Sequence, residues 1–165
     1  GIVFWITGLS GSGKTTIAEK IKKKIISQYG ASLTFSGDDL RKLFNYNQFS
    51  KEARLTYAMS YGKFCKYISD KNINVIFSTV SLFDEVRRWN RSNINNYIEI
   101  YIKSDIKKLM KKRQKFFYKG NHKNIVGKNL KAEFPKKPNI TIKNDFTKPL
   151  NKLSKELIKK ILVLC

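Results

Sequence analysis

Gly8, Gly13, Lys14 and Thr15 stand at the spacing G-x-x-x-x-G-K-[ST], within the stretch GLSGSGKTT that runs from Gly8 to Thr16. Glycines so placed let successive backbone N–H groups curl around the β- and γ-phosphates of a nucleotide. The lysine then bridges β- and γ-oxygens, and the hydroxyl that follows it ligates Mg²⁺. On this reading Gly8, Ser10, Gly11, Ser12, Gly13, Lys14, Thr15 and Thr16 form an ATP-binding loop, with Lys14 catalytic and Thr15 the metal ligand. A second residue suited to chemistry is Asp38, in SGDDLR, because a positioned carboxylate can orient or deprotonate a hydroxyl acceptor. The same aspartate could instead simply cap a short helix running through Phe44.

These residues need elements to hold them. IVFWI (2–6) is a continuous apolar run, the pattern of a strand buried on both faces. Residues 14–28 place Ile17, Ile21 and Ile25 at four-residue spacing, which predicts an amphipathic helix directly after the loop. The loop therefore has its required context, a strand before and a helix after. Further strands are predicted at 32–36, 73–79, 97–102 and 139–143. Helices are predicted at 51–71, 83–91, 105–112 and 149–164. In the helix 51–71, Tyr57, Tyr61, Phe64 and Ile68 share one face, a stripe that reads as core. The βα alternation predicts an α/β three-layer fold of the P-loop NTPase type, a five-stranded parallel sheet with helices on both faces. One domain over residues 1–165 is expected. The irregular basic stretch 113–138 is too long for an ordinary connection and reads as a lid.

Several classes are excluded by what is missing. The third strand ends in FSTVS with no acid, and IKND near Asn144 is not a guanine-binding motif. Neither a switch GTPase nor a motor ATPase fits, which leaves a small-molecule kinase. No apolar run reaches the roughly 20 residues that span a bilayer, and the start GIVFWITG has neither the basic flank nor the cleavage site of a signal peptide. Two cysteines without partners at ligand spacing suit a reducing cytoplasm. The formal charge of +22 raises nucleic-acid binding as a rival. The lysines, however, recur along most of the chain, as on solvated helix faces, and no module that reads RNA or DNA is present. A nucleic-acid partner is not expected.

VFWITGLSGSGKTTIA, followed in order by SGDDLR, FSKEAR, VSLF and KNIVG…EFP, resembles the adenylylsulfate (APS) kinase family over nearly the whole chain. The resemblance implies transfer of the γ-phosphate of ATP to the 3′-hydroxyl of a nucleotide ribose, by a P-loop enzyme that is usually a homodimer. Carried over residue by residue, it makes Asp38 the carboxylate near the acceptor hydroxyl. Arg41 and Arg54 become acceptor-binding arginines, Phe49 the aromatic that stacks on the acceptor base, and Ser81 a serine at the mouth of the site. In the lid it assigns Arg113 to ATP, and Lys123 and Ile125 to the acceptor. His122 receives no role.

The departures from the family pattern cluster on the acceptor side. Its first motif aspartate is Ser36 here, an asparagine is Tyr57, the run Asn-Ile-Arg-Arg is lost in YAMSYG, and the lid phenylalanine that completes an aromatic sandwich is Ile125. Losing one of two stacking faces weakens base binding by about 1–3 kcal/mol. ATP-side features are kept, so the pattern implies the same chemistry on a different nucleotide. It is similar to those family members that phosphorylate cytidine diphosphoramidate in capsule phosphoramidate synthesis. Adenylylsulfate itself stands as the alternative acceptor.

Overall fold

The protein is described by a computed structural model that covers residues 1–113, 126 and 130–164, with side chains through 111 in the first of these segments. Five described strands alternate with helices: β1 (Val3–Thr7), α1 (Lys14–Tyr29), β2 (Ser32–Ser36), α2 (Gly37–Leu43), α3 (Lys51–Ser69), β3 (Asn74–Thr79), α4 (Asp84–Asn93), β4 (Tyr97–Lys103), α5 (Ile106–Arg113), β5 (Ile140–Lys143) and α6 (Leu150–Leu164). The strands form one sheet, all parallel, in the order β2-β3-β1-β4-β5. This is the α/β architecture that the alternation predicts.

The central strand explains why its sequence is uniformly apolar. Side chains alternate between the two faces of a strand. Phe4 and Ile6 pack under α1 and α6, with Ile17, Ile21, Leu153 and Leu157. Val3 and Trp5 face α3 and α4, with Cys65, Phe77 and Val86. Both faces of β1 are covered, so it is apolar from Val3 to Ile6, and its one polar residue, Thr7 at the carboxyl end, is buried with its hydroxyl donating to the Val80 carbonyl. A smaller third cluster joins Leu9, Leu82, Leu109 and Val126 beside the phosphate loop.

Register decides what meets at the carboxyl edge of the sheet. Thr7 pairs with Thr79, and Ser36 with Ser78. The loop after β1, the turn after β2 and the loop after β3 therefore leave the sheet in one row. In open parallel sheets, ligands bind in the crevice at this edge.

Two expectations are corrected. Asp38 does not cap α2. Ser36 does, accepting the Asp39 N–H, while the Asp39 carboxylate accepts the Ser36 N–H in return. A serine side chain satisfies an open helix N–H as well as an aspartate would. The aromatic stripe of α3 is also not uniformly core, because Tyr57 and Tyr61 line the crevice described next.

Candidate active site

The loop between β1 and α1 has a conformation that only glycine tolerates at two points. Gly8 has φ 152°, and a Cβ there would lie 2.5 Å from the Ile102 carbonyl oxygen. Gly13 has φ 92°, and a Cβ there would lie 2.8 Å from Leu150 Cδ2. α1 starts at this left-handed glycine with no side-chain cap hydrogen bond. A phosphate commonly takes the place of such a cap, drawn by the helix N–H groups and dipole. Lys14 is buried at the start of α1, and its Nζ donates to the Leu9 carbonyl across the loop at 2.8 Å. Ser78 Oγ lies 3.3 Å from Thr15 Oγ1, so two hydroxyls stand together where β3 ends.

These groups open on a cavity of ≈ 340 Å³ that also takes in the acceptor-side residues. Of the residues expected to bind ATP, Ser10, Gly11, Gly13, Lys14, Thr15 and Thr16 line it. Gly8 and Ser12 do not line it, and Ser12 is fully buried. Asp38, Arg41, Phe49, Arg54 and Ser81 line the same cavity. Arg113, Lys123 and Ile125 fall outside the described side chains, as does most of the expected lid.

The acceptor-side residues support one another. Arg41 and Arg54 both lie over the half-exposed Phe49 ring, at 4.3 and 5.3 Å from its centroid. Arg41 Nη2 donates to the carbonyls of Tyr46 and Gln48, at 2.8 and 3.4 Å. Arg54 Nε donates to the Phe49 carbonyl at 3.0 Å. Burial, and then the neighbouring Arg41, pull the Arg54 guanidinium below its ordinary range, and the Asp38 carboxylate opposes them. An arginine stays cationic through any such shift. Two fixed cations beside an aromatic face and a carboxylate make a receptor for a phosphate-bearing, π-faced molecule.

A family model for adenylylsulphate kinase matches residues 1–143. The chain belongs to the adenylylsulphate kinase family. Among curated relatives, the cytidine diphosphoramidate kinase of Campylobacter jejuni is 33% identical over 163 residues, covering 96% of this chain and 95% of that one. The adenylyl-sulfate kinase of Thermodesulfovibrio yellowstonii is 34% identical, covering 94% and 81%. The fold matches that of the Mycobacterium tuberculosis APS kinase CysC, solved in complex with AMPPNP and APS, with a TM-score of 0.86 over 98% of both chains at 21% identity. The protein is thus a kinase, a phosphotransferase with an alcohol group as acceptor, and ATP is the family's phosphoryl donor.

Against that family background, three residues gain roles that spacing did not reveal. Asn144, dismissed with the IKND tetrapeptide, is buried, and its Nδ2 donates to the Ser12 carbonyl at 2.8 Å. It thereby braces the phosphate loop from the end of β5. Tyr57 stacks flat on Tyr46, with centroids 4.0 Å apart and 4° between planes, so the position where the family has asparagine now walls the cavity. Tyr61 lines the cavity, and its phenolic oxygen has no hydrogen-bond partner among the described residues. Asn144 gave no signal of its own, because it follows the alternating strand ITIK and sits between Lys143 and Asp145 as one polar residue among others. Tyr57 was marked only by its departure from the family's asparagine, and Tyr61 by nothing, because helical spacing looks the same for core and for cavity wall.

The donor set also suits the metal expected of such an enzyme. Thr15, Ser78 and Asp38 offer only hard oxygens to one cavity, and among the described residues no cluster of three or more His, Cys, Asp or Glu exists. Mg²⁺ favours oxygen ligands and is commonly held by one or two protein groups plus substrate phosphates.

Proposed function

We propose that this protein transfers the γ-phosphate of ATP to the ribose 3′-hydroxyl of cytidine diphosphoramidate, in the making of a capsule phosphoramidate. The observation that carries the reading is the shared cavity. Asp38 opens on the same crevice as the phosphate loop and the Arg41–Phe49–Arg54 cluster, which is the disposition that in-line transfer between two bound nucleotides requires. Similarity to the Campylobacter enzyme along nearly the full length of both chains supports cytidine diphosphoramidate as the acceptor. So does Tyr57, which lines the acceptor side with its ring held flat against Tyr46.

In this reading the loop amides and Lys14 hold the ATP phosphates, and Arg41 and Arg54 hold the acceptor's charged tail. Phe49 stacks on the base, and Asp38 orients the ribose hydroxyl and draws off its proton. Thr15, with Ser78 beside it, would hold Mg²⁺, which supplies charge neutralisation at the β- and γ-phosphates when bound. Ser81, Lys123 and Ile125 complete the acceptor site, and Arg113 the ATP side. A cytoplasmic homodimer is the setting that the family resemblance supports, and no helix among the described residues is long and apolar enough to cross a membrane.

The test supplies the purified protein with Mg·ATP and, in parallel, cytidine diphosphoramidate, CDP, adenylylsulfate and a short oligonucleotide. ADP release is followed, and products are identified by mass. A 3′-phosphorylated product from the cytidine phosphoramidate in preference to adenylylsulfate is expected. Faster turnover of adenylylsulfate would make Tyr57 and Ile125 tolerated substitutions in a sulfate-activating enzyme. Transfer to the oligonucleotide would replace both readings with a nucleic-acid kinase.

A further inference from the structure

Tyr61 is a cost that the fold alone does not require. It lies on α3, 4% exposed, with its ring 5.5 Å from Phe77 in an edge contact. Its Cε2 is 3.5 Å from where a Cβ on Gly37, the residue before Asp38, would sit. The ring is thus wedged under the turn that presents Asp38. Its phenolic oxygen is buried with no hydrogen-bond partner among the described residues, although the side chain lines the cavity. Leaving a buried hydroxyl unsatisfied costs about 1–3 kcal/mol, and a phenylalanine would fill the same space without that cost. The ionisable groups whose charge reaches the phenol are Arg41, Tyr46, Asp38, Tyr57 and Arg54. All belong to the acceptor side, and none to the phosphate loop.

We propose that Tyr61 is an acceptor-binding residue: its O–H donates a hydrogen bond to the acceptor nucleotide beside Asp38, and it takes no part in binding ATP. The assignment rests on the reading that this half of the cavity receives a nucleotide acceptor. The partner atom is an oxygen or ring nitrogen, on either the ribose-phosphate or the base. The chemistry that recognises it is the same, since both are uncharged or anionic hydrogen-bond acceptors. Tyr61 also differs in kind from Arg41 and Arg54. It contributes direction without charge, so it discriminates by geometry where the arginines discriminate by charge.

The experiment is calorimetric binding to the full chain saturated with Mg·AMPPNP, which occupies the ATP side. The acceptor probes are CDP and adenylylsulfate, and each is titrated into wild type, Tyr61→Phe and the exposed control Tyr67→Phe. Tyr61→Phe keeps the ring and therefore the packing. Its Kd for whichever acceptor the wild type binds should rise about three- to tenfold, the value of one neutral hydrogen bond. The Kd for AMPPNP, and both constants for Tyr67→Phe, should not move. The melting temperature should stay level or rise, because an unsatisfied hydroxyl has gone. A loss on both probes places the bond on the shared ribose-phosphate, and a loss on one places it on that base. An acceptor Kd unchanged in Tyr61→Phe overturns the assignment while leaving the kinase reading intact. So does a weakening of AMPPNP by the same factor, or a fall in melting temperature that reveals a structural partner. Failure of the wild type to bind either acceptor overturns the nucleotide-acceptor reading and this assignment with it.

Discussion

Asp39 accepts the Ser36 N–H at 2.7 Å and the Ser36 hydroxyl at 2.8 Å, closing the box that starts α2. Asp38, one residue earlier, stays out of that box and opens on the cavity. Adjacent carboxylates are thereby divided between structure and chemistry, and substitution should separate them. Asp38→Asn should lower kcat by about 10²- to 10⁴-fold, the range for removing a positioned general base. Its KM for ATP should hold within about threefold, because the phosphate loop is untouched. Asp39→Ala should leave kcat near wild type and cost about 1 kcal/mol of stability through the lost cap. Steady-state kinetics and thermal melts on both variants check this, and equal losses of kcat would refute the division. The same scale shows what spacing can reveal. The phosphate loop is contiguous, so its glycines, lysine and threonine announce themselves. Ser78, Asn144 and Tyr61 reach the site only through sheet register and helix rotation, which no short motif encodes.

At the scale of elements, α4 and the chain segment that leads into β5 are joined by charge. Arg87, 1% exposed, donates through Nη2 to the Glu133 carbonyl at 2.6 Å and to the Asp84 carboxylate, while the Glu133 carboxylate accepts the Asp84 N–H at 2.6 Å. On the sheet side Glu99 of β4 is fully buried, with Arg91 Nη2 at 2.8 Å and Arg87 Nε at 3.9 Å. Burial pushes the Glu99 carboxyl up, and the two arginines only partly restrain it. A carboxyl raised in the folded state favours folding at low pH and loses that contribution as pH rises through its folded pKa. Arg87→Met removes a restraining cation, so the carboxyl should rise further and the ionised form should cost more. The variant should be destabilised by about 3–5 kcal/mol at pH 8, and by less at pH 5, because a carboxyl raised in the folded state costs more as pH rises. Urea unfolding at the two pH values decides it. A penalty independent of pH would assign the loss to the contacts with Asp84 and Glu133 instead. None of this clasp was legible beforehand. FDEVRRWNR predicts a helix, but a buried arginine and a solvated one look alike in sequence. The central strand was the most legible, because burial on two faces leaves an uninterrupted apolar run from Ile2 to Ile6.

For the whole molecule, a formal charge of +22 on 165 residues must be carried in the folded state. Many of its lysines lie along helices, in KIKKKII of α1, IKKLMK of α5 and LIKKI of α6. Only two described Lys–carboxylate ion pairs offset them, Lys66–Asp70 and Lys160–Glu156, both exposed and each worth little. A compact state with one dominant sign of charge is destabilised by self-repulsion, and the unfolded chain relieves that repulsion by expanding. Added salt screens the repulsion, with a Debye length falling from about 30 Å at 0.01 M to about 8 Å at 0.15 M. The melting temperature should therefore rise between 0.01 and 0.3 M NaCl, by about 2–4 °C for each kcal/mol of repulsion removed. Chloride is the salt to use, because sulfate or phosphate would also stabilise by occupying the phosphate loop. The buried Arg87–Glu99 contact works in the opposite direction but is screened far less than the surface charges. A melting temperature that falls with NaCl would mean that specific ion pairs outweigh the net charge, and that the lysine faces are held by carboxylates rather than merely solvated.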